Sequence, residues 1–332
     1  MANKIRWGVL GAAKIATAKV IPAMQRGALS EVAAIASRDA AKAAQAAKDL
    51  GIAKAYGSYE ELLADPDIDA VYNPLPNHLH VPWSIRAAEA GKHVLCEKPV
   101  ALTVVEAREL LAARDRTGVK IGEAFMVHLH PQWLRALEIL QAGEIGELRA
   151  FHFVFSYNNR DPRNIRNIPE MGGGALMDIG CYPIHTSRWT FGAEPRRVSA
   201  LIENDPDFGT DRLSSAILDY PRGHAVLTCS TQMSPYQRAL IFGTKGRIEI
   251  EIPVNAPPDK ETKILVQTTD LRTETFPVCD QYTLQGDAFS RAILDNGAVP
   301  VSLEDAIRNM AVIDALRRSS DTGAWQAPQP GL

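Results

Sequence analysis

Ile5-Arg6-Trp7-Gly8-Val9-Leu10-Gly11-Ala12-Ala13-Lys14-Ile15-Ala16 decides the fold of the amino-terminal part. An apolar run of strand length meets a glycine, and the glycine opens a stretch that reads as helix to about residue 26. Dinucleotide-binding sheets carry G-x-G-x-x-G/A at this turn between a first strand and a first helix. Here the three places hold Gly11, Ala13 and Ala16. Alanine in the middle place still lets a pyrophosphate approach the helix amino terminus, though less closely than glycine does. By itself the stretch reads equally as an ordinary tight turn; its place in a series of strand–helix units gives it weight.

The series runs outward from it. Further strands are expected at Val32–Ala36, Ala70–Tyr72, His93–Cys96 and Lys120–Ala124, with helices near 40–50, 59–64, 80–90 and 104–117. Ser58 with Glu61, and Thr103 with Glu106, form capping boxes. Gly51, Gly91 and Gly118 stand where helices stop. Such alternation means a parallel sheet covered on both faces. After residue 124 the vocabulary changes. A helix near 132–142 is followed by longer strand-like runs at Leu148–Ser156, Arg197–Ile202, Ser214–Asp219, His224–Cys229, Ala239–Phe242, Arg247–Ile252 and Thr262–Thr268. Turns such as Pro221-Arg222-Gly223 join them in the manner of an antiparallel sheet. Helical stretches fall at about 172–191, 281–296 and 303–318. The expected class is α/β: a parallel-sheet domain over 1–124, then an α+β domain over 125–332 with an open, mostly antiparallel sheet.

Composition narrows the function. The 332 residues carry a net charge of −3, which gives no electrostatic case for nucleic acid or an anionic membrane. No apolar run is long enough to span a bilayer, and the chain start does not read as a secretion signal. Cys96, Cys181, Cys229 and Cys279 are scattered, so reduced thiols in a cytoplasm are expected. His78/His80 and His128/His130 are H-x-H pairs, but no carboxylate or third ligand is arranged near them, and no metal is expected.

Three clusters carry chemistry. Glu97-Lys98-Pro99 follows the strand His93–Cys96, so Lys98 points from the carboxyl end of a parallel strand into the ligand crevice, with Pro99 stiffening its base. Ser37-Arg38 stands after the second strand where an NAD-binding chain has an acid; serine and arginine suit the 2′-phosphate of NADP, and NAD is the alternative. Asn73 and His80, on the proline-fixed loop Tyr72–His80 that includes Pro74, are placed to touch cofactor or substrate. The third cluster is Gly172-Gly173-Gly174 followed by Asp178, Tyr182 and His185. Asp178 and Tyr182, four apart, share a helix face; tyrosine can exchange a proton with a reacting oxygen while aspartate orients or balances charge.

In this order and spacing, Glu97-Lys98-Pro99, Gly172–Gly174 and Asp178–Tyr182 resemble the glucose–fructose oxidoreductase / inositol dehydrogenase (Gfo/Idh/MocA) family over essentially the whole chain. Glu123-Ala124-Phe125-Met126, His130-Pro131-Gln132, Phe242–Ile248, Gln281–Gln285 and Val301–Ala306 resemble its branch of NADP-linked D-xylose dehydrogenases and dimeric dihydrodiol dehydrogenases. The resemblance implies a Rossmann domain followed by an open sheet, with Lys98, Asp178 and Tyr182 as catalytic residues. It implies cofactor contacts from Gly11, Ala13, Lys14, Ile15, Ser37, Arg38, Asn73, Pro74, His80, Glu97 and Lys98. For substrate it implies Phe125, His128, Arg166, His185 and Tyr282. Tyr182 stands where inositol-type members have histidine, and His128 where many relatives have arginine. The function implied is NADP-dependent hydride transfer to or from a sugar such as D-xylose or D-glucose, or a related polyol. The alternatives are an NADP-binding redox sensor without turnover and an NAD-linked glycoside-cleaving member. Phe151, Phe153 and Phe155 share one strand face, with His152 and Val154 opposite. A sheet so poorly covered by helices implies a homodimer or a dimer of dimers.

Overall fold

The computed structural model describes residues 4–332 and divides the chain into two units, the first running to Met126 and resuming over Asp280–Ala306, the second made of Val127–Cys279 and Ile307–Leu332. A linear boundary at 124/125 therefore does not describe the first unit. Asp280–Ala306 returns to it and packs against Trp7, which is fully buried in its core. The Trp7 indole N–H donates to Ser290 Oγ at 3.1 Å, and its ring lies 5.6 Å from Phe289.

The first sheet holds β1 (Ile5–Leu10), β2 (Ser30–Ala36), β3 (Lys54–Tyr56), β4 (Ala70–Asn73), β5 (His93–Cys96) and β6 (Ile121–Glu123). Their order is β3-β2-β1-β4-β5-β6 and every pair is parallel. This is the Rossmann order. The chain winds outward from β1 and then jumps to β4, so the crevice at the carboxyl ends of β1 and β4 is the natural ligand position. The connecting helices are α1 (Ile21–Arg26), α2 (Ala40–Leu50), α3 (Tyr59–Ala64), α4 (His80–Glu89) and α5 (Val104–Thr117). Both N-caps form: Ser58 accepts from the Glu61 amide and Thr103 from the Glu106 amide, each at 3.2 Å, while Glu61 and Glu106 reach one residue further back, to the Gly57 and Leu102 amides at 3.1 and 3.0 Å. Three-residue β3 went unpredicted; its short, polar run becomes a strand only through pairing with Ala34–Ala36.

The second unit contains α6 (Pro131–Gln141), β7 (Leu148–Asn158), α7 (Cys181–Phe191), β8 (Arg197–Asn204), β9 (Asp211–Tyr220), β10 (Gly223–Ser230), β11 (Gln232–Gly243), β12 (Arg247–Ile250), β13 (Thr262–Gln267) and β14 (Leu271–Phe276). Helix α8 (Gln281–Leu294) belongs to the first unit, and α9 (Leu303–Thr322) follows it. The second sheet runs β14-β13-β12-β11-β7-β10-β9-β8, antiparallel except for the parallel pair of β7 with β10. Phe151, Phe153 and Phe155 are buried on the face that meets α7, together with Leu227, Ile241 and Ile264. Full burial of side chains this large contributes ~1.5–3 kcal/mol each. The opposite face carries His152 and Val154, with Leu201 81% exposed and Arg238 ion-paired with Glu249 at 3.0 Å. On the edge strand β8, Val198 exchanges two backbone hydrogen bonds with Gln326, at 2.8 and 2.9 Å, and Arg197 lies over the Trp325 ring at 4.7 Å. Among the described residues no helix is long and apolar enough to cross a membrane.

Candidate active site

In the first unit the turn after β1 is fixed by Gly11, whose φ is +95° and whose N–H donates to Ala36 O at 2.8 Å. An added Cβ would stand 3.0 Å from Leu75 Cδ2, so conformation and space both call for glycine. Ala12, Ala13 and Ile15 are partly buried and Lys14 is exposed. The helix that follows widens into one π turn, Ala16–Val20, before α1. At the end of β2, Ser37 is buried and its Oγ accepts the Asp39 N–H at 3.2 Å. Asp39 caps α2 by accepting the Lys42 N–H at 3.1 Å. That leaves exposed Arg38 as the charged side chain at this corner.

The loops after β4 and β5 are tied together by side chains that bond to backbone. Asn73 Nδ2 donates to His80 O at 3.0 Å and to Ser84 Oγ at 3.1 Å, while its Oδ1 accepts the Leu75 N–H at 3.3 Å. Pro74 is buried beside it. His80 is buried, with Nδ1 2.8 Å from Pro99 O and Nε2 2.7 Å from Leu75 O. Burial pushes the imidazole down to about 4, so it is neutral at ordinary pH. A neutral ring has one N–H, so one of these contacts is a hydrogen bond and the other a close approach. The donating nitrogen ties the ring to one of the two loops, and the other nitrogen faces the carbonyl of the second. Glu97 is gripped on both sides: Tyr72 Oη donates to Oε1 at 2.7 Å, and the Lys98 N–H to Oε2 at 3.3 Å. Burial, then the Glu97 charge, pushes the phenol of Tyr282 up. Glu123 Oε1 accepts the Val100 N–H at 2.7 Å, so backbone on both sides of Lys98 is held by carboxylates. The Lys98–Pro99 peptide is cis, and Phe125 is buried.

The second unit gathers the third cluster. Gly174, with φ +107°, donates its N–H to Arg166 O at 2.8 Å. An added Cβ there would collide with the carboxylate of Asp211. Asp211 Oδ2 accepts the Leu176 N–H at 2.7 Å and Ser214 Oγ at 2.9 Å, while burial pushes its carboxyl up. The helix begins with a π turn, Leu176–Gly180, which carries Asp178, and continues as α7 with Tyr182 in its first turn. Asp178 Oδ2 accepts from Tyr157 Oη at 2.7 Å and from Arg166 Nε at 2.8 Å. Tyr182 is 5% exposed, its ring edge-on to Phe155 at 6.1 Å. The charge of Asp178 holds the Arg166 guanidinium above its usual range, keeping it cationic, and both Tyr157 and Tyr182 lie within its field. His185 Nε2 lies 3.3 Å from His128 Nδ1, and His128 stacks on Trp189 at 4.0 Å.

Each unit thus assembles its own part of the expected constellation. Arg166 meets Asp178, and His128 meets His185. Tyr157, Asp211 and Trp189 join without having been singled out in the sequence. Tyr157 had a signal: it continues the alternation Phe151, Phe153, Phe155 to the end of β7. His130, from the second H-x-H pair, caps α6 through Nδ1, which accepts the Gln132 N–H at 3.2 Å. Among the described residues no group of three or more His, Cys, Asp or Glu is placed to hold a metal ion.

Residues 5–125 match the model of an oxidoreductase family with an NAD-binding Rossmann fold, and residues 133–249 match the GFO/IDH/MocA C-terminal domain. The chain belongs to the GFO/IDH/MocA oxidoreductase family. An uncharacterized oxidoreductase of Rhizobium meliloti is 48% identical over 97% of this chain and 98% of its own length. A D-xylose 1-dehydrogenase (NADP(+)) of Haloferax volcanii is 41% identical over 96% of this chain and 98% of its own. A 3-ketoreductase of Actinomadura kijaniata, solved with NADP and TDP-benzene, superposes with a TM-score of 0.90 at 33% identity, covering 96% and 98% of the two chains. The family and branch implied by the motifs are those found, and the GFO/IDH/MocA fold accounts for both sheets.

Proposed function

We propose that this chain is an NADP-dependent oxidoreductase transferring hydride between nicotinamide and an aldose such as D-xylose or D-glucose, or a related polyol or keto-sugar. The observation that carries this reading is Tyr182: a buried phenol in the first turn of α7, beside an aspartate whose charge is matched by an arginine. The first unit fits the cofactor. Gly11 and the helix amino terminus suit a pyrophosphate, and Ser37 with Arg38 suit a 2′-phosphate. The NADP(+)-linked xylose dehydrogenase and the NADP complex of the 3-ketoreductase support that choice over NAD.

When bound, the nicotinamide supplies the hydride acceptor or donor. In the oxidising direction, Tyr182 takes the hydroxyl proton of the substrate carbinol. Lys98, as a cation, stabilises the developing alkoxide, and Asp178 orients substrate or balances charge. In the reducing direction Tyr182 returns that proton. We assign Phe125, His128, Arg166, His185 and Tyr282 to the substrate's surroundings. A screen of free sugars and glycosides with NADP and NAD, reading both reduced cofactor and released sugar, tests the assignment. Turnover of a free aldose with NADP is expected. Binding without turnover would favour a sensor, and release of sugar from glycosides would favour a cleaving enzyme. We place the protein in the cytoplasm, a reading that its four unbridged thiols support. We also assign the open face of the second sheet to a homodimer or dimer of dimers, supported by exposed Leu201 and Ile217 on that face. Light scattering across a dilution series checks it; a constant monomer mass would rule it out.

A further inference from the structure

Asp178 receives two donors on one oxygen, Tyr157 Oη at 2.7 Å and Arg166 Nε at 2.8 Å. A carboxylate bonded in this way is fixed in rotation, and its charge is drawn towards the donors. Its side chain is only 12% exposed, so water does little to screen it. An unscreened carboxylate near a phenol opposes loss of the phenolic proton, whereas a cation favours it. Both kinds of charge are present around Tyr182: Asp178 lies on the preceding turn, and Arg166 acts on Tyr182 as well as on Asp178.

Resting on the reading of Tyr182 as the proton-carrying group, we infer that Tyr157 and Arg166 are positioning residues: together they hold Asp178 turned and charge-compensated, so that Tyr182 can release its proton. Their chemistry suits this. Burial, then Asp178, pushes the Tyr157 phenol well up, so it stays a donor across any assay range. Guanidinium does not deprotonate. Both are fixed by structure outside the cluster. Tyr157 stands near the end of β7, and Arg166 sits in a short turn whose backbone carbonyl accepts the Gly174 N–H. The neighbouring Asn167 Nδ2 ties that turn to Asn159 O at 3.3 Å and to Asp161 O at 2.9 Å. Other ionisable groups bearing on Tyr157 and Asp178 include Asp211 from β9 and Cys229 from β10, with Cys181 beside them at the start of α7. Burial pushes the Cys229 thiol up, leaving it neutral, while Asp211 adds negative charge that Arg166 and, from α9, Arg317 offset.

The test compares Tyr157→Phe, Arg166→Lys and Arg166→Met in the full chain. Tyr182 is titrated through its 13C-labelled ring, assigned with Tyr182→Phe, and kcat, KM and NADP affinity are measured across pH. Tyr157→Phe should move the Tyr182 ionisation upward by about one pH unit, Arg166→Met further, and Arg166→Lys between. At neutral pH kcat for aldose oxidation should fall about tenfold in Tyr157→Phe and recover as pH rises, with KM and NADP affinity within about twofold. An unmoved titration, or a loss of kcat equal at every pH, would overturn the inference. Should Arg166→Met not fold, Tyr157→Phe removes only a hydroxyl and decides alone. If the wild type turned over no carbohydrate, the proposed function would fall while the titration still judged the electrostatic claim.

Discussion

Two glycine turns lead into helices that open with a π turn, and they differ in what they make of it. After Gly11 comes Ala16–Val20, a turn of Ala, Thr, Lys and Val; after Gly174 comes Leu176–Gly180, which carries Asp178 and is pinned through the Leu176 amide by Asp211. Wide turns of this sort recur at functional sites. The first offers backbone N–H groups and the partial positive charge of a helix start, which hold an anion whatever the side chains are. The second offers a carboxylate held by Tyr157 and Arg166, on a turn pinned by Asp211. A site made of backbone tolerates Ala13 in place of glycine. A site made of side chains fails when a supporting neighbour is removed.

The severest break should come at Lys98, the first unit's one candidate for transition-state chemistry. Lys98→Ala should lower kcat by about 10²–10³-fold with NADP affinity retained, read by steady-state kinetics and cofactor fluorescence. Near-normal turnover would leave the first unit a pure cofactor cradle. Next, Gly174→Ala should cost about 2–4 kcal/mol of stability, from the strained φ plus lost bonds to Asp211, against about 1–2 for Gly11→Ala, whose new Cβ meets a flexible leucine. Denaturant midpoints measure both, and equal losses would erase the contrast. Arg38→Ala should weaken NADP by about 10- to 100-fold and leave NAD nearly untouched. Equal weakening in a titration of both cofactors would show that the guanidinium does not read the 2′-phosphate.

The smallest effect lies at the amino-terminal ends of the first unit's strands. Asp65 accepts from Lys54 Nζ at 2.9 Å, Tyr56 Oη at 2.7 Å and the Asp67 N–H at 2.9 Å. Burial pushes its carboxyl up, but these donors outweigh burial and hold it at about 2. A carboxyl held below its unfolded value of about 3.9 stabilises the fold above that pH and loses the contribution as pH falls towards 2. Asp65→Asn should therefore flatten the acid limb of stability between about 4 and 2, as followed by circular dichroism. An unchanged acid limb would remove Asp65 from this account.

The sequence was most legible where local chemistry acts alone. Helices α2, α3 and α5 were readable to the residue because Asp39, Ser58 and Thr103 cap them and glycines end two of the three. β1 and β5 were equally plain as apolar runs. β3 and β14 were missed for a common reason: each is short and half polar, and exists through its neighbour. At the site, Asp178 and Tyr182 were visible by spacing, yet the π turn and the convergence of Tyr157 and Arg166 on one oxygen belong to tertiary structure. His80 is a similar case. Its place on the proline-fixed loop points to cofactor or substrate, and the structure adds a role in holding that loop that the sequence did not show.

The clasp between Val198 and Gln326 bears on colloidal behaviour rather than on catalysis. An outer strand with unoccupied N–H and C=O groups is a template on which other chains can lengthen a sheet. Gln326 occupies those groups at Val198, and Trp325 lies beneath the Arg197 guanidinium, so the tail acts as an edge guard. A chain cut before Trp325 would bare this edge at Val198, while Ser319 and Ser320 of α9 would still accept the Ala200 and Ile202 N–H groups at 3.2 Å, so strand addition at high concentration would start from the Val198 end of β8.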